Sequence, residues 1–426
     1  TTAVNPANDE LLVVSSNAAA KLTVGTAVDV GVSGATVALV VHGDGKLALQ
    51  ATGTAALSLG SGFATASADT LAVAYNNTGE TVDRTVTVSV DGISVSAPLK
   101  VVNGQTAVVV KGLKAQVKDF VTLSGDFGFQ KTTAVNPADE ELLVVSSNAA
   151  AKLTVGTAVE VGVSGATVAL VVHGDGKLAL QATGTAALSL GSGFATASAD
   201  TLAVAYNNTG SDRLNETITV SVDGISVSAP LNARNGQTAV VAKGLKAQVK
   251  DFVTLSGDFG FQKTTAVNPA DEELLVVSSN AAAKLTVGAA VEVGVSGATV
   301  ALVVHGDGKL ALQATGAAAL SLGSGFATAS AETLAVAYNN TGETVDRTVT
   351  VSVDGISVSA PLNVVNGQTA VVAKGLKAQV KDFVTLSGDF GFQKTTAVNP
   401  ANDELLVVSS NAAAKLTVGT AVDRKS

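Results

Sequence analysis

The run Thr85-Val86-Thr87-Val88-Ser89-Val90-Asp91-Gly92-Ile93-Ser94-Val95-Ser96-Ala97 alternates apolar and hydroxyl side chains on both sides of an Asp-Gly pair. Alternation with period two, carried by β-branched residues, specifies strands that cover one face. Asp-Gly accepts the positive φ angles of a two-residue type I′ turn, which sets Val90 opposite Ile93, Val88 opposite Val95 and Val86 opposite Ala97. All six apolar side chains then share one face, and Thr85, Thr87, Ser89, Ser94 and Ser96 share the other. Turn chemistry and apolar register agree independently, so the run reads as an antiparallel hairpin.

Upstream, Ala35–Val41, His42, Gly43-Asp44-Gly45, Lys46 and Leu47–Ala51 make a second test. A two-residue loop would set large apolar residues against Ala and Gln. A three- or five-residue loop pairs Val41 with Leu47, Leu39 with Leu49 and Val37 with Ala51, and is preferred. Two antiparallel hairpins count against a parallel β-helix and point to a meander or sandwich. Further strands are expected over Glu10–Ser16, Ala19–Val24, Ala55–Leu59, Thr70–Tyr75, Thr106–Val110 and Phe120–Leu123, roughly ten in each copy of a repeat. Lys111–Lys118 reads as either a short helix or one more strand.

That repeat organises the whole chain. Thr-Thr-Ala-Val-Asn-Pro-Ala recurs at Thr1, Thr132, Thr264 and Thr395, giving copies 1–131, 132–263 and 264–394 and a partial copy 395–426, in a frame that is arbitrary. The one length change replaces Gly79–Arg84 with Gly210–Glu216, which reads as an exposed loop tip. The fold class expected is all-β: tandem antiparallel β-sandwiches, or one continuous coiled antiparallel sheet. No Pro- or Gly-rich linker separates the copies, so rigid end-to-end stacking is expected. Sheet edges then need cover, and the partial copy Thr395–Ser426 reads as a strand set awaiting a partner.

Composition narrows the function. The 426 residues include no Cys, so neither a disulfide framework nor a thiolate metal site is available. Absence of Met and of a signal-peptide pattern suggests a mature product or a slice of something longer. No apolar run is long enough for a membrane-spanning helix. Net charge is -9, with Lys and Arg scattered singly, which argues against nucleic acid as a partner. Charged residues make up 14% against roughly 25% in average soluble domains, too few to coat many separate globules.

Candidate chemistry is sparse. His42, His173 and His305 each flank a Gly-Asp-Gly turn without a second His or Cys to complete a zinc set. Asp44, Asp91 and Asp126 are the calcium candidates, weighed against the ordinary role of Asp in turns, and no EF-hand loop or calcium nonapeptide occurs. Asn76-Asn77-Thr78 fits a glycosylation triplet. Neither Gly43–Gly45 nor Gly60–Gly62 continues as a phosphate loop. No nucleophile, base and orienting group stand out, so no catalytic residue is named and an enzyme is not expected. The Thr and Ser ladder of the hairpin is a candidate flat face for ice or polysaccharide. Tyr75, Phe63, Phe120, Phe127 and Phe129 are the candidate sugar-stacking rings, several of which read as core.

Phe120-Val121-Thr122-Leu123-Ser124-Gly125-Asp126-Phe127-Gly128-Phe129-Gln130, with the Ser-Asn-Ala-Ala-Ala and Gly-Ala-Thr-Val-Ala-Leu-Val-Val stretches, resembles long repeats of giant bacterial repetitive adhesins and related secreted proteins. The resemblance implies a stalk, spacer or fibre on a bacterial exterior, with adhesive tips elsewhere. The family's calcium nonapeptides are missing here. The expectation is an extracellular structural repeat protein forming a rod, filament or sheath from copies of itself. Its alternative is the stalk or binding module of an adhesin that recognises surface glycan or another cell.

Overall fold

The structure, a computed structural model, describes residues 9–24, 28–60, 62–133, 140–265, 272–288, 290–396 and 403–417. Alternating Val, Thr, Ala and Ser give no helical stripe, and among the described residues there is no helix. The first copy forms β1 (Glu10–Val24), β2 (Val28–His42), β3 (Leu47–Leu59), β4 (Ala64–Asn76), β5 (Val82–Val90), β6 (Ile93–Val101), β7 (Gln105–Val117) and β8 (Val121–Thr132). The second forms β9 (Glu141–Val155), β10 (Val159–His173), β11 (Leu178–Leu190), β12 (Ala195–Asn207), β13 (Arg213–Val222), β14 (Ile225–Ala233), β15 (Gln237–Val249) and β16 (Val253–Thr264). The third forms β17 (Glu273–Val287), β18 (Val291–His305), β19 (Leu310–Leu322), β20 (Ala327–Asn339), β21 (Val345–Val353), β22 (Ile356–Val364), β23 (Gln368–Val380) and β24 (Val384–Thr395). β25 (Glu404–Leu416) opens the partial copy, whose last residues, 418–426, lie outside the described residues.

Eight strands per copy replace the expected ten because two expected pairs each merge: Leu47–Ala51 and Ala55–Leu59 are the single strand β3, with a register shift at Gly53/Ala55. Glu10–Ser16 and Ala19–Val24 are one strand with a bulge between, where Asn17 takes a φ of 51°. Lys111–Val117 continues β7, so the helical alternative for that segment is wrong. Gly112 there has a φ of 60° and marks a register shift between Val110 and Leu113. Shifts at Ser33/Thr36, Gly53/Ala55 and Ser124/Asp126 continue the same line across β2, β3 and β8, creasing these strands at one level.

Two compact units make up the chain, Thr1–Ala187 with Val204–Asn235 and Leu188–Ala203 with Gly236–Ser426. In the first, β1, β2, β3, β4, β7, β8, β9 and β10 pair antiparallel in that order. In the second, β15 to β20 pair in chain order, and β20 continues through β23 and β24 to β25. The ladders β8–β9, β16–β17 and β24–β25 run straight across the copy boundaries. Of the two arrangements expected, each unit takes the continuous sheet.

Its second layer comes from the hairpins β5–β6, β13–β14 and β21–β22, which leave the ladder between the fourth and seventh strands of each copy. Val90 faces Ile93, Val88 faces Val95 and Val86 faces Ala97, as turn chemistry predicts, with Asp91 at a φ of 50° and Gly92 at 82°. The upstream hairpin likewise pairs Val41 with Leu47 and Leu39 with Leu49. β6 touches β1, β2, β3 and β4, so the hairpin crosses the sheet strands instead of running along them. The sheet side of this interface is mostly Ala38, Ala48, Ala72, Ala74 and Ala107, and the hairpin supplies Val86, Leu99 and Val101. Small residues below and large ones above let the layers approach without voids.

The extra residue of copy two does not lengthen a loop. It enters β13 as a bulge between Arg213 and Glu216, where Asn215 has a φ of 56°. A strand paired on only one side absorbs such an insertion by bending outward. Arg213 then stands opposite Ala233, at the place where Val82 faces Val101 in copy one and Val345 faces Val364 in copy three. The smaller partner leaves room for the longer side chain.

Candidate functional site

Each hairpin is held to its own copy by two amide side chains, an Asn buried in all three copies and a Gln buried in the first two and half-buried in the third. Asn76, 1% exposed, donates from Nδ2 to Val101 O at 2.9 Å and to Glu80 O at 2.8 Å. Its Oδ1 accepts from Thr78 N at 2.9 Å and Thr78 Oγ1 at 2.7 Å. All four hydrogen-bonding positions of the amide are therefore filled. Asn207 and Asn339 repeat this arrangement. Gln50 Oε1 accepts from Lys100 N at 2.8 Å, tying the open edge of β6 to β3, and Gln181 and Gln313 do the same for Asn232 and Asn363. Glycosylation of Asn76 would need this buried amide free, so the triplet is a structural feature of the folded copy.

Beyond those anchors the contact is apolar and reaches into the preceding copy. A nine-residue strand extends roughly 30 Å, about six strand spacings, so the hairpin overruns the first strand of its own copy. β13 touches β7 and β8 of copy one as well as β9, and β21 touches β15 and β16 of copy two as well as β17. The seat there is a cross-strand row, Val109–Gly128–Val145, repeated as Val241–Gly260–Val277. A Cβ built on Gly128 would lie 2.8 Å from Val220 Cβ, and one on Gly260 would lie 2.8 Å from Val351 Cβ. Glycine between two valines thus forms a notch, and the hairpin valine is the knob that fills it.

The ends of the series expose both halves of this joint. Val220 and Val351 are each 0% exposed, whereas Val88, at the same position of the first hairpin, is 40% exposed. Val90, Ile93 and Val95 are exposed with it, whereas Val222, Val227, Val353 and Val358, the counterparts of Val90 and Val95, are buried, and Ile225 and Ile356 are half-buried. At the other end, Val372–Gly391–Val408 forms the same cross-strand row without a hairpin above it. Val408 is 62% exposed against 0% for Val145 and Val277. Covering a set of four such hairpin side chains is worth about 4 kcal/mol, taking roughly half of a full apolar burial for each. The knob-and-notch contact, formed alike at Val220–Gly128 and Val351–Gly260, is the candidate functional site.

No protein-family model matches the chain, and no curated relative does either.

Gly128→Ala measures the notch directly. Its methyl would press on Val145 and Val220, and a cost of about 1–3 kcal/mol is expected in urea denaturation. Gly391→Ala, where nothing lies closer than 4.0 Å, should leave stability within about 0.5 kcal/mol of the parent.

The charged residues singled out in the sequence serve local structure. Asp44 Oδ1 accepts from Lys46 N at 3.0 Å, and Asp44 pairs with Lys46 Nζ at 3.1 Å. These two bonds hold its carboxyl below the ordinary value. Asp91 sits in the hairpin turn. Asp126 lies in the crease, accepting from Gly112 N at 2.8 Å and Lys111 Nζ at 3.1 Å. At the matching Asp258, burial raises the carboxyl, and the Gly244 N–H and Lys243 outweigh it, leaving the pKa lowered. The structure does not bring the three calcium candidates together, and among the described residues no three acidic or imidazole groups converge.

His42 faces Glu10 across β1–β2 at 3.9 Å, and Arg84 reaches the same carboxylate at 2.8 Å. In copy two the bulge carries Arg213 to His173 Nε2 at 2.8 Å. Of the five candidate sugar-stacking rings, several of which read as core, Phe63, Phe120 and Phe129 are exposed and Tyr75 and Phe127 are half-buried, because Ala, Val and Leu fill the interior instead.

Proposed function

We propose that the chain is a structural repeat protein of a bacterial exterior, built to assemble into a rod, filament or sheath. The observation that carries this reading is the joint itself: each copy supplies a knob to the copy before it and a notch to the copy after it. Such a unit is open-ended by construction, since burying one knob leaves another notch exposed. A side-by-side contact is supported by a half-buried apolar cross-strand row, Val30–Leu57–Ala66–Ala115–Leu123, on the far side of the crease. Electron microscopy of the purified chain over a range of concentrations tests the proposal. Ordered polymers support it, and single particles at every concentration contradict it.

The alternative, an adhesin module for glycan, is favoured by one observation. Phe63 and Phe120 stand half-exposed in neighbouring turns, joined by Lys118 N donating to Phe63 O at 2.8 Å. Phe194 with Phe252 and Phe326 with Phe383 repeat the pair. Apolar rings at such a rim stack on sugar faces, and glycan-array binding lost in Phe63→Ala and Phe120→Ala would support this reading.

A further inference from the structure

The knob on the first hairpin and the notch beside β25 are the same joint seen from its two sides. At the later end, β25 pairs with β24 from Thr395↔Glu404 to Val384↔Leu416, the register that β17 keeps on β16. Its other edge carries no strand among the described residues, and Leu405, Leu406, Val407 and Val408 are all exposed. Glu404–Leu416 is identical in sequence to Glu10–Leu22 of β1. β1 in turn pairs with β2 along one edge, from Glu10↔His42 onward.

We infer that two copies of this chain join end to end by sharing one strand. β25 of the first copy takes the place of β1 on β2 of the second, and the second copy's β5–β6 hairpin then lies over β23 and β24 of the first. Because the two strands are identical over Glu10–Leu22, β2 exchanges one partner for another and loses none of those pairs. The gain is apolar: Val88 enters the Val372–Gly391–Val408 notch, Val90 and Val95 follow it out of water, and Ile93 becomes half-buried as Ile225 and Ile356 are. The occupant of the open notch is thus a second copy of this chain, because copies two and three show what fills the same notch within the chain. Strand sharing also covers the free edge of β25, which otherwise presents a row of unpaired backbone groups.

The inference deepens the structural reading proposed above and rests on it. Its test uses the full chain, which contains no native Cys. In Val88→Cys/Gly391→Cys the two thiols meet only at this joint, as the closeness of Val220 to Gly128 shows. Mild oxidation is expected to give a ladder of linear disulfide-linked multimers on a non-reducing gel, at least about tenfold above the yield of Thr87→Cys/Gly391→Cys, whose first thiol lies on the opposite face of the hairpin. Val90→Asp added to the first pair should abolish the ladder, because the counterparts Val222 and Val353 are buried at the joint. Equal yields from the two pairs would overturn the inference. If the unoxidised chain polymerises while the pairs cross-link equally, strand sharing falls and the structural reading stands. Should the chain remain monomeric at every concentration in sedimentation, both fall together.

Discussion

Val220→Asp is expected to destabilise the chain by about 3–5 kcal/mol, while Val88→Asp, in a sequence identical from Thr87 to Leu99 with Thr219 to Leu231, should cost under about 1 kcal/mol. Val220 is fully buried in the notch at Gly128, so a carboxylate there would be ionised without a partner or would have to withdraw. Withdrawal frees the tip of β13–β14 and uncovers Val109 and Val145 as well. At Val88 the carboxylate simply faces water in the isolated chain. Urea denaturation of the two variants side by side gives the comparison, with each copy acting as the other's control. Equal losses would mean that the hairpin tip draws its stability from its own strands and not from the preceding copy.

Asn207→Leu should be nearly as damaging, at about 2–4 kcal/mol, and its effect should be local to the hairpin root. The change keeps the volume and removes all four hydrogen bonds that Asn207 makes, to Ser211 O, Ala233 O, Thr209 N and Thr209 Oγ1. Ala233 O then stays buried without that donor. Amide exchange should quicken at residues 209–213 and 231–233 and stay unchanged at the β15–β16 turn. Thr209→Ala, which removes only part of the set, should cost about 1 kcal/mol. If Asn207→Leu were neutral, the amide would be a filler and the hairpin root would be held by backbone pairing alone.

These two residues show where the sequence was informative and where it was silent. The Asp-Gly turn and the alternation around it determined the hairpin register, because turn geometry and face pattern are both local. Where the hairpin goes is not local. Its apolar face would suit a place in the sheet or above it, and only the pairing of β4 with β7 shows that it has left the ladder. The role of Asn76 was illegible for a related reason: a sequence triplet does not reveal that its amide is turned inward. One residue did carry a legible hint. Gly128, set between Phe127 and Phe129 inside a strand, is the kind of position at which another backbone or side chain comes close.

The crease was hidden because bulges need no distinctive residue. Asn17 and Gly112 both bend their strands, and neither stands out in an Asn- and Gly-rich chain, so β1 looked like two strands and β7 like a strand followed by something else. The joint between copies was hidden more deeply. Val88, Val220 and Val351 each stand between Thr and Ser ahead of the same Val-Asp-Gly-Ile turn, and nothing in one copy reveals which of them is covered. The difference lies in what precedes each copy in space. That is why near-identity between copies, which says nothing about function, still gives three measurements of one site in different surroundings.

Thiol labelling of single cysteines tests the knob-and-notch joint most directly, because the chain has no Cys of its own. Val88→Cys, Val220→Cys and Val351→Cys would each be labelled in the dilute, unassembled chain. The joint predicts that Cys at position 88 reacts at nearly the rate of a free thiol, while those at 220 and 351 react at least about a hundredfold more slowly, waiting for the tip to lift. Equal, fast labelling at all three positions would contradict it, since the hairpins would then lie free of the copies they are said to clasp.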